Sequence, residues 1–343
     1  MRRTILASVF ACTTSLLFSH VASAQSAGEQ CDRLATQSLI KTKPADIKGV
    51  AYKDIDAKAA TRACAEAVAA DPDVPRYHIQ YGRALNKAGE NDKALAEFEA
   101  ARKAGAWEAL IFMGDLYFYG DFGSPDYEKA FALNMEAAEH GVADAAYSVG
   151  IWYRTGVGVA KDLDKALYWN RKAYELGQKD AAIEIGYAYE NGLAVKADLA
   201  EALRWYRIAA DNNEAMAMNN IGVFYSNGTG GVTRDLTKAM IWFRKAEAEG
   251  LPLAHINIAE FLDTGKATEV DHRRAAEYVL KAFDLGDKWV DPFNRDVVYG
   301  QKWSEAFWRE IQTELGKRGH YNGPIDGQLS EATRAAFEKI VEK

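Results

Sequence analysis

The 343-residue chain is poor in cysteine, with three residues, and in histidine, with six. No His-Glu-x-x-His pair and no cysteine-rich spacing is present, so the common sequence signatures of a zinc site are missing. A Gly-x-Ser-x-Gly nucleophile elbow is missing as well. These absences argue against an enzyme. The sequence therefore predicts no catalytic residue, no metal and no cofactor.

Long hydrophobic runs are confined to the first 24 residues, and positive charge is in deficit. No later apolar run is long enough to span a bilayer. Lys and Arg number 42 against 49 Asp and Glu, which gives a net charge of −7. A surface of that sign argues against nucleic acid or anionic lipid as the main ligand.

The first 24 residues have the composition of a secretory signal. Met1-Arg2-Arg3 is the charged start, Ile5 to Phe18 the apolar stretch, and Ala22-Ser23-Ala24 the small-residue cleavage site. Two alternatives stay open: an uncleaved membrane anchor, for which the run is short, and a lipoprotein signal at Val9-Phe10-Ala11-Cys12. A secretory signal predicts cleavage before Gln25, a more negative mature chain and a periplasmic location.

Cys12 would leave with this leader, so Cys31 and Cys64 would be the two cysteines of the mature chain. An even count in an oxidising compartment predicts a disulfide between them, and two buried free thiols are the alternative. The bridge would close a loop of about 33 residues and stabilise the fold by about 3–4 kcal/mol. It would tie the entry segment to the helix predicted over Ile55 to Ala70.

One pattern recurs along the chain. Gly114, Gly150, Gly186 and Gly222 lie at a constant spacing of about 36 residues, a period typical of a solenoid. Within each unit the apolar residues follow spacings of three and four, which predicts two helices per unit. The glycines leave room where helices approach closely. The tyrosine three positions after each glycine is predicted to fill the space beside it.

The units share A-x-x-x-G-x-x-Y-x-x-G-x-G-V-x-x-D-x-x-K-A-x-x-W-x-x-K-A-x-x-x-G, which resembles the Sel-one-like repeat, a tetratricopeptide relative. The resemblance covers residues 106–286 as five units; the last departs from it with Ala259 for the glycine and Leu262 for the tyrosine. It implies an all-α, right-handed α-solenoid of helical hairpins that mediates contacts between proteins. Residues 25–75 are predicted to form an N-terminal helical cap, and residues 76–105 a tetratricopeptide-like unit.

Two glycine-rich stretches invite comparison with phosphate-binding loops. Gly156-Val157-Gly158 and Gly228-Thr229-Gly230-Gly231 follow predicted helices rather than strands, and no Lys-Ser or Lys-Thr closes them. An interhelical turn that uses glycine for positive φ is the favoured interpretation.

Residues 304–343 form a further helical module, after a linker or cap predicted for residues 287–303. Asn322-Gly323-Pro324 and Asp326-Gly327 place two turns in tandem between two predicted helices. The module resembles the small three-helix peptidoglycan-binding domain of cell-wall enzymes, although Leu329-Ser330 stands where an aromatic residue and a glycine are usual. The resemblance implies a glycan site at Tyr321, Asn322, Gly323, Asp326, Gly327 and Arg334. The alternative is that these residues only hold the loop.

The first helix of each unit lines the groove of a solenoid, so its outward residues are candidates for binding a protein. The candidates are Phe118, Tyr119, Tyr147, Arg154, Tyr187, Glu190, Asn219, Glu260 and Asp263. Aromatic and charged side chains in a row suit the capture of a peptide. The alternative is that the aromatic residues pack within the stack.

Together these features predict a periplasmic scaffold for an unidentified envelope protein or peptide, with peptidoglycan as a candidate anchor and a role in envelope regulation or assembly. The alternative is a cell-wall-modifying enzyme or a direct activator of one, which only the C-terminal module motivates. Neither nucleic acid binding nor a membrane span after removal of the leader is predicted.

Overall fold

A computed structural model describes residues 26–285 and 303–341, and within these ranges the regular elements are all helices. The leader predicted for residues 1–24 and all but the last residue of the linker predicted for 287–303 lie outside the described residues. The chain divides after Ala106 into two compact units. The prediction of an all-α fold is confirmed.

The first unit contains two helical pairs. In its described part these are α1 (Ala27–Ala35), α2 (Ala57–Ala70), α3 (Pro75–Lys87) and α4 (Asn91–Lys103), with a short 3-10 helix at Tyr52–Asp54. A disulfide joins Cys31 on α1 to Cys64 on α2, and both residues are fully buried. The predicted disulfide is therefore present, and it ties the entry segment to the second helix.

Polar contacts hold the same entry segment. Arg83 on α3 is 4% exposed, and its guanidinium donates to the carbonyl oxygens of Ala35 and, at 2.9 Å, Val50. The buried carboxylate of Asp32 accepts hydrogen bonds from Gln80 Nε2 at 2.7 Å and Arg76 Nε at 3.2 Å. Together with the disulfide, these bonds hold α1 and the segment after it against α3.

The second unit consists of five helical hairpins followed by two further helices in its described part. The hairpins are α5 (Ala109–Phe118) with α6 (Tyr127–Glu139), α7 (Ala143–Thr155) with α8 (Leu163–Glu175), α9 (Ala181–Asn191) with α10 (Leu199–Ala210), α11 (Ala215–Asn227) with α12 (Leu236–Ala248), and α13 (Pro252–Thr264) with α14 (His272–Asp284). The last two helices are α15 (Glu305–Lys317) and α16 (Glu331–Val341). The second helix of each hairpin packs against the first helix of the next, which is the arrangement of an α-solenoid.

The recurring glycines mark the closest approach within each hairpin. A Cβ added at Gly150 would lie 2.3 Å from Asn170 Oδ1, and one at Gly222 would lie 2.5 Å from Phe243 Cε1. The prediction that these positions need glycine is confirmed. The neighbour that fills the space, however, lies on the second helix of the hairpin and is not the tyrosine three positions on.

The tyrosines of the repeat have a different role, which explains the aspartate and lysine of the shared pattern. The ammonium groups of Lys129, Lys165 and Lys238 lie 4.0, 5.2 and 5.6 Å from the ring centroids of Tyr117, Tyr153 and Tyr225. The aspartate three residues before each lysine accepts the backbone N–H of that lysine and so caps the second helix. Its own backbone N–H donates to the tyrosine carbonyl, which fixes the loop between the helices.

The glycine-rich stretches are interhelical turns, as expected. Helix α7 ends at Gly156 with φ of 82°, and α11 ends at Gly228 with φ of 70°. Both lie in the left-handed region that favours glycine. Because the stretches follow helices rather than strands and no Lys-Ser or Lys-Thr closes them, they lack the context of a phosphate-binding loop.

The C-terminal helices cover the fifth hairpin. The ring of Phe337 on α16 lies 4.9 Å from that of Phe283 on α14, and Phe307 on α15 is fully buried in the same core as Phe261. The outer face of the last repeat is thus closed by α15 and α16. Within the described ranges, no helix combines the length and apolar character required to cross a membrane.

Candidate functional site

The nine groove candidates all belong to the first halves of the hairpins, but their exposure differs. Tyr119 is 73% exposed and Tyr187 is 42% exposed. Phe118, Tyr147, Arg154, Glu190 and Glu260 are half-buried. Asn219 and Asp263 are buried, with exposures of 2% and 5%. Candidates at the same register of the repeat therefore differ in burial: Asn219 is buried where Tyr147 is half-buried, and Asp263 is buried where Arg154 is half-buried.

Phe118 and Tyr119 lie where α5 ends. The Phe118 ring lies nearly parallel to that of Trp152 on α7, with 5.8 Å between the centroids, so Phe118 helps to join the first two repeats. Tyr119 meets the Phe118 ring edge-on at 5.2 Å and projects into solvent. Phe118 thus packs within the stack, whereas the adjacent Tyr119 is exposed on its surface.

Arg154 links the second and third repeats. Its Nε lies 2.8 Å from Glu184 Oε2 on α9, and its guanidinium carbon lies 5.9 Å from the centroid of the Tyr187 ring. The Arg154 and Glu184 side chains are 34% and 15% exposed. Glu184 was not among the sequence candidates, because only the contact with the preceding repeat shows that it belongs to this surface.

The surroundings of Tyr147 are acidic. Burial, together with the negative charges of Glu184, Asp180 and Glu214, raises the pKa of the Tyr147 phenol above its usual value, while Arg154 opposes the shift. Burial also raises the pKa of the Glu184 carboxyl, against the effect of Arg154. Tyr147 thus lies among acidic side chains, one of which, Glu184, is paired with Arg154.

Three of the remaining candidates bond to neighbouring side chains of the fold. Glu190 accepts a hydrogen bond from Tyr206 Oη at 2.5 Å, and Asn219 Oδ1 accepts one from Asn257 Nδ2 at 2.5 Å. Glu260 pairs with Lys266 at 2.7 Å. Asn219, as a buried residue, does not present its side chain to a partner, which corrects the prediction at that position.

Asp263 has a structural role that the sequence did not predict. Its carboxylate accepts the backbone N–H of Ser304 at 2.9 Å and the Ser304 hydroxyl at 2.6 Å, and it lies 2.7 Å from His272 Nδ1. Ser304 is the N-cap of α15, since its hydroxyl accepts the N–H of Phe307. The buried aspartate thus fastens the C-terminal helices to the fifth repeat instead of facing a groove.

The trio of Ser304, His272 and Asp263 contains the residue types of a catalytic triad but not the geometry. A triad uses the two different ring nitrogens of histidine, one toward serine and one toward aspartate. Here the same atom, His272 Nδ1, lies 3.3 Å from Ser304 Oγ and 2.7 Å from Asp263 Oδ1. The arrangement therefore provides no proton relay. In the described part of the chain, no group of three or more His, Cys, Asp or Glu side chains is placed to hold a metal ion.

Gln312 organises the loop of the C-terminal module. This fully buried residue of α15 donates from Nε2 to Asp326 Oδ1 at 2.8 Å and accepts the backbone N–H of Gly327 on Oε1 at 2.9 Å. The hydrogen bond from Gln312, and one from the backbone of Gln328, hold the pKa of the Asp326 carboxyl below its usual value. The hydroxyl of Tyr321 donates to the carbonyl oxygen of Pro324 at 2.9 Å.

The six predicted glycan residues therefore divide into two groups. Tyr321, Asp326 and Gly327 hold the loop, and Gly323 lies so close to the Tyr321 ring that an added Cβ would be 2.6 Å from its hydroxyl oxygen. Asn322 and Arg334 are exposed. Pro324 and Ile325, which the sequence did not single out, are exposed on the same loop, Ile325 by 45%.

Glycine and alanine fill the packing positions of these helical hairpins, and aromatic and charged side chains remain on the surface of the first helices. This arrangement defines a repeat scaffold suited to contacts between proteins. The chain belongs to the Sel1 repeat family, whose model matches residues 107–142, 143–178, 179–214, 215–251 and 252–287, more than half of the sequence. The five predicted repeats are confirmed. Members of this family are typically scaffolds without enzymatic activity.

Two solved structures illustrate the similarity. A Sel1 repeat protein from Oxalobacter formigenes is 26% identical over 70% of this chain and 99% of that one, with a TM-score of 0.56. A protective antigen of uropathogenic Escherichia coli that displays an SLR fold, c5321, is 21% identical over 82% of this chain, with a TM-score of 0.59. The chain spans 64% of the length of that antigen, and the likeness to it concerns the fold. No curated protein matches the chain.

Proposed function

We propose that the protein is a periplasmic scaffold that binds a protein or peptide of the cell envelope along the first helices of its repeats. The observation that carries this proposal is the exposure of Tyr119 and Tyr187, together with the half-buried Arg154, on helices whose other faces are closed by small residues. Aromatic and arginine side chains of this kind are enriched among residues that dominate binding energy.

The periplasmic location rests on the leader predicted from residues 1–24 and is supported by the disulfide, since such bonds persist in oxidising compartments. Within this proposal the scaffold serves envelope regulation or assembly. Its acidic net charge of −7 before leader removal favours a partner with basic surface.

The test compares two exposed tyrosines on different helices of the same region. Tyr187→Ala removes a ring from the first-helix surface, whereas Tyr168→Ala removes one that is 58% exposed on the second helix α8. Quantitative co-purification from crosslinked envelopes should show that Tyr187→Ala loses the proteins retained by the parent chain and that Tyr168→Ala keeps them. Equal retention by both variants would remove the first-helix surface from the proposal.

We further propose that residues 304–343 anchor the scaffold to peptidoglycan. The proposal is supported by the loop that Gln312 holds in place, on which Asn322 and Ile325 are exposed. Because α15 and α16 share the core of the fifth repeat, the test uses point variants of the full chain in place of a truncation.

Asn322→Ala combined with Ile325→Ala should release the protein from sedimented peptidoglycan sacculi. Ile241→Ala, which alters a similarly exposed isoleucine on α12, should leave sedimentation unchanged. Sedimentation of both variants at the parent level would contradict the anchor. Release of muropeptides from sacculi by the purified protein would instead support the alternative, a cell-wall-modifying enzyme or its activator.

A further inference from the structure

An aromatic surface lies at the loop edge of the first two repeats. Four rings form it, those of Phe118, Tyr119, Tyr127 and Trp152, and we call this set the aromatic platform. We propose that the aromatic platform binds arginine or lysine side chains from a basic segment of the partner protein. This inference rests on the proposed scaffold function and specifies the chemistry of what the scaffold binds.

The rings of the platform are arranged around Phe118. Tyr119 and Tyr127 meet the Phe118 ring at 5.2 Å each, with interplanar angles of 81° and 64°, and Trp152 lies parallel to it at 5.8 Å. Tyr119 is 73% and Tyr127 is 44% exposed. Exposed aromatic rings that lie against one another form a contiguous apolar surface, which is a feature of interaction sites.

The backbone beneath the platform is held in place. A Cβ at Gly158, in the turn after α7, would lie only 2.1 Å from the carbonyl oxygen of Tyr127, so that turn packs tightly on the start of α6. The backbone N–H of Asp126 donates to the carbonyl oxygen of Tyr117 at 2.8 Å, which ties the start of α6 to the end of α5. A platform built on fixed backbone loses little freedom when a ligand binds.

The charge of the segment that carries Phe118, Tyr119 and Tyr127 indicates the chemistry of the ligand. Between residues 115 and 129 the chain carries four acidic residues, Asp115, Asp121, Asp126 and Glu128, and one base, Lys129. The ammonium of Lys129 already lies over the Tyr117 ring at 4.0 Å. Acidic residues beside exposed aromatic faces attract a cation by charge and by the ring quadrupole.

The same charge argues against an anionic ligand at this place. A carboxylate-bearing glycan strand or an acidic peptide would approach a segment whose fifteen residues carry four negative side chains, and like charges across an interface are unfavourable. A basic protein segment brings positive charge both to the rings and to the acidic segment that carries them. Each ring that engages a cation should strengthen binding by about 2- to 30-fold.

The experiment displays random twelve-residue peptides to the full protein and sequences those that are retained. The parent chain should enrich peptides that contain Arg or Lys, and Tyr119→Ala combined with Tyr127→Ala should abolish that enrichment. Tyr119→Phe combined with Tyr127→Phe keeps both rings and should preserve it. Tyr168→Ala, on the second helix, is the control for loss of an exposed tyrosine.

Fluorescence anisotropy on one enriched peptide then measures the size of the effect. The double alanine variant should weaken binding by about tenfold or more. Glu128→Lys alone should also weaken binding, and its effect should be larger at low salt than at high salt. Circular dichroism that matches the parent would show that the variants are folded.

The outcomes separate this inference from the scaffold function. Enriched peptides that depend on Tyr187 but not on Tyr119 and Tyr127 would overturn the platform and leave the scaffold standing. Enrichment of acidic or neutral peptides would overturn the choice of a basic ligand. A parent chain that enriches no peptide would overturn both.

Discussion

Gly222 offers a direct test of how the hairpins pack. In Gly222→Ala the added Cβ would lie 2.5 and 2.6 Å from two carbons of the Phe243 ring, which is 2% exposed and has no solvent-facing space into which to retreat. Contacts this short force side chains from their rotamers or shift the backbone. The substitution is otherwise favourable, because alanine is a better helix former than glycine by about 1 kcal/mol.

The magnitude follows from comparison with a helical glycine that has room. Gly316 lies in α15, is exposed, and has Tyr321 O at 3.5 Å as the nearest atom to an added Cβ. Gly316→Ala should therefore stabilise the protein by up to about 1 kcal/mol. Gly222→Ala gains the same helix propensity but loses about 1–3 kcal/mol to overpacking. The two variants should differ by roughly that amount.

Urea unfolding followed by circular dichroism measures both variants under the same conditions. Phe243→Leu, alone and combined with Gly222→Ala, removes the ring that the new methyl group meets. Truncation of Phe243 should cost less in the Gly222→Ala background than in the parent, which gives a favourable coupling energy in a double-mutant cycle. If Gly222→Ala stabilises as much as Gly316→Ala, the packing account of the repeat glycines is refuted.

Further predictions concern the two ends of the chain. Cys31→Ser with Cys64→Ser should cost the first unit about 3–4 kcal/mol, which thermal unfolding with and without reductant would measure; no effect of reductant on the parent would contradict the bridge. Burial lowers the pKa of the His255 imidazole from 6.5, so the unfolded chain takes up the proton first as pH falls; stability should be full above about pH 6.5 and decline below it. His255→Leu should flatten that decline in melting temperature, and an unchanged decline would assign it to other groups. Asp263→Ala should destabilise the docking of α15 by about 1.5–3 kcal/mol and speed limited proteolysis of the C-terminal helices, whereas Asp284→Ala, which breaks an exposed pair, should change it by less than about 1 kcal/mol.

The period of the repeat made the fold predictable. A constant spacing of glycines, with apolar residues at three and four, requires paired helices that stack, and these features are local to each unit. The identity of the residue that faces each glycine was not predictable in this way. That residue occupies one fixed position of the second helix, eight residues after the capping aspartate, but the residue type there varies: Asn170 faces Gly150 and Phe243 faces Gly222.

The candidate site was less predictable than the fold, because the same register meets different neighbours in successive repeats. Asn219 holds the position of Tyr147, yet its side chain is buried and accepts a hydrogen bond from Asn257 of the next repeat. Asp263 holds the position of Arg154, yet its carboxylate accepts two hydrogen bonds from Ser304. Both neighbours lie about 40 residues away in sequence, so no pattern within a unit signals them.

Contact between a partner and the first helices is the central claim, and site-specific photo-crosslinking in intact cells measures that contact directly. A photoreactive residue at Tyr119 or Tyr187 should crosslink to the same partner protein, while one at Tyr168 or Ile241, similarly exposed on second helices, should not. Crosslinks to that partner only from the second-helix positions, or equally from all four, would contradict the account.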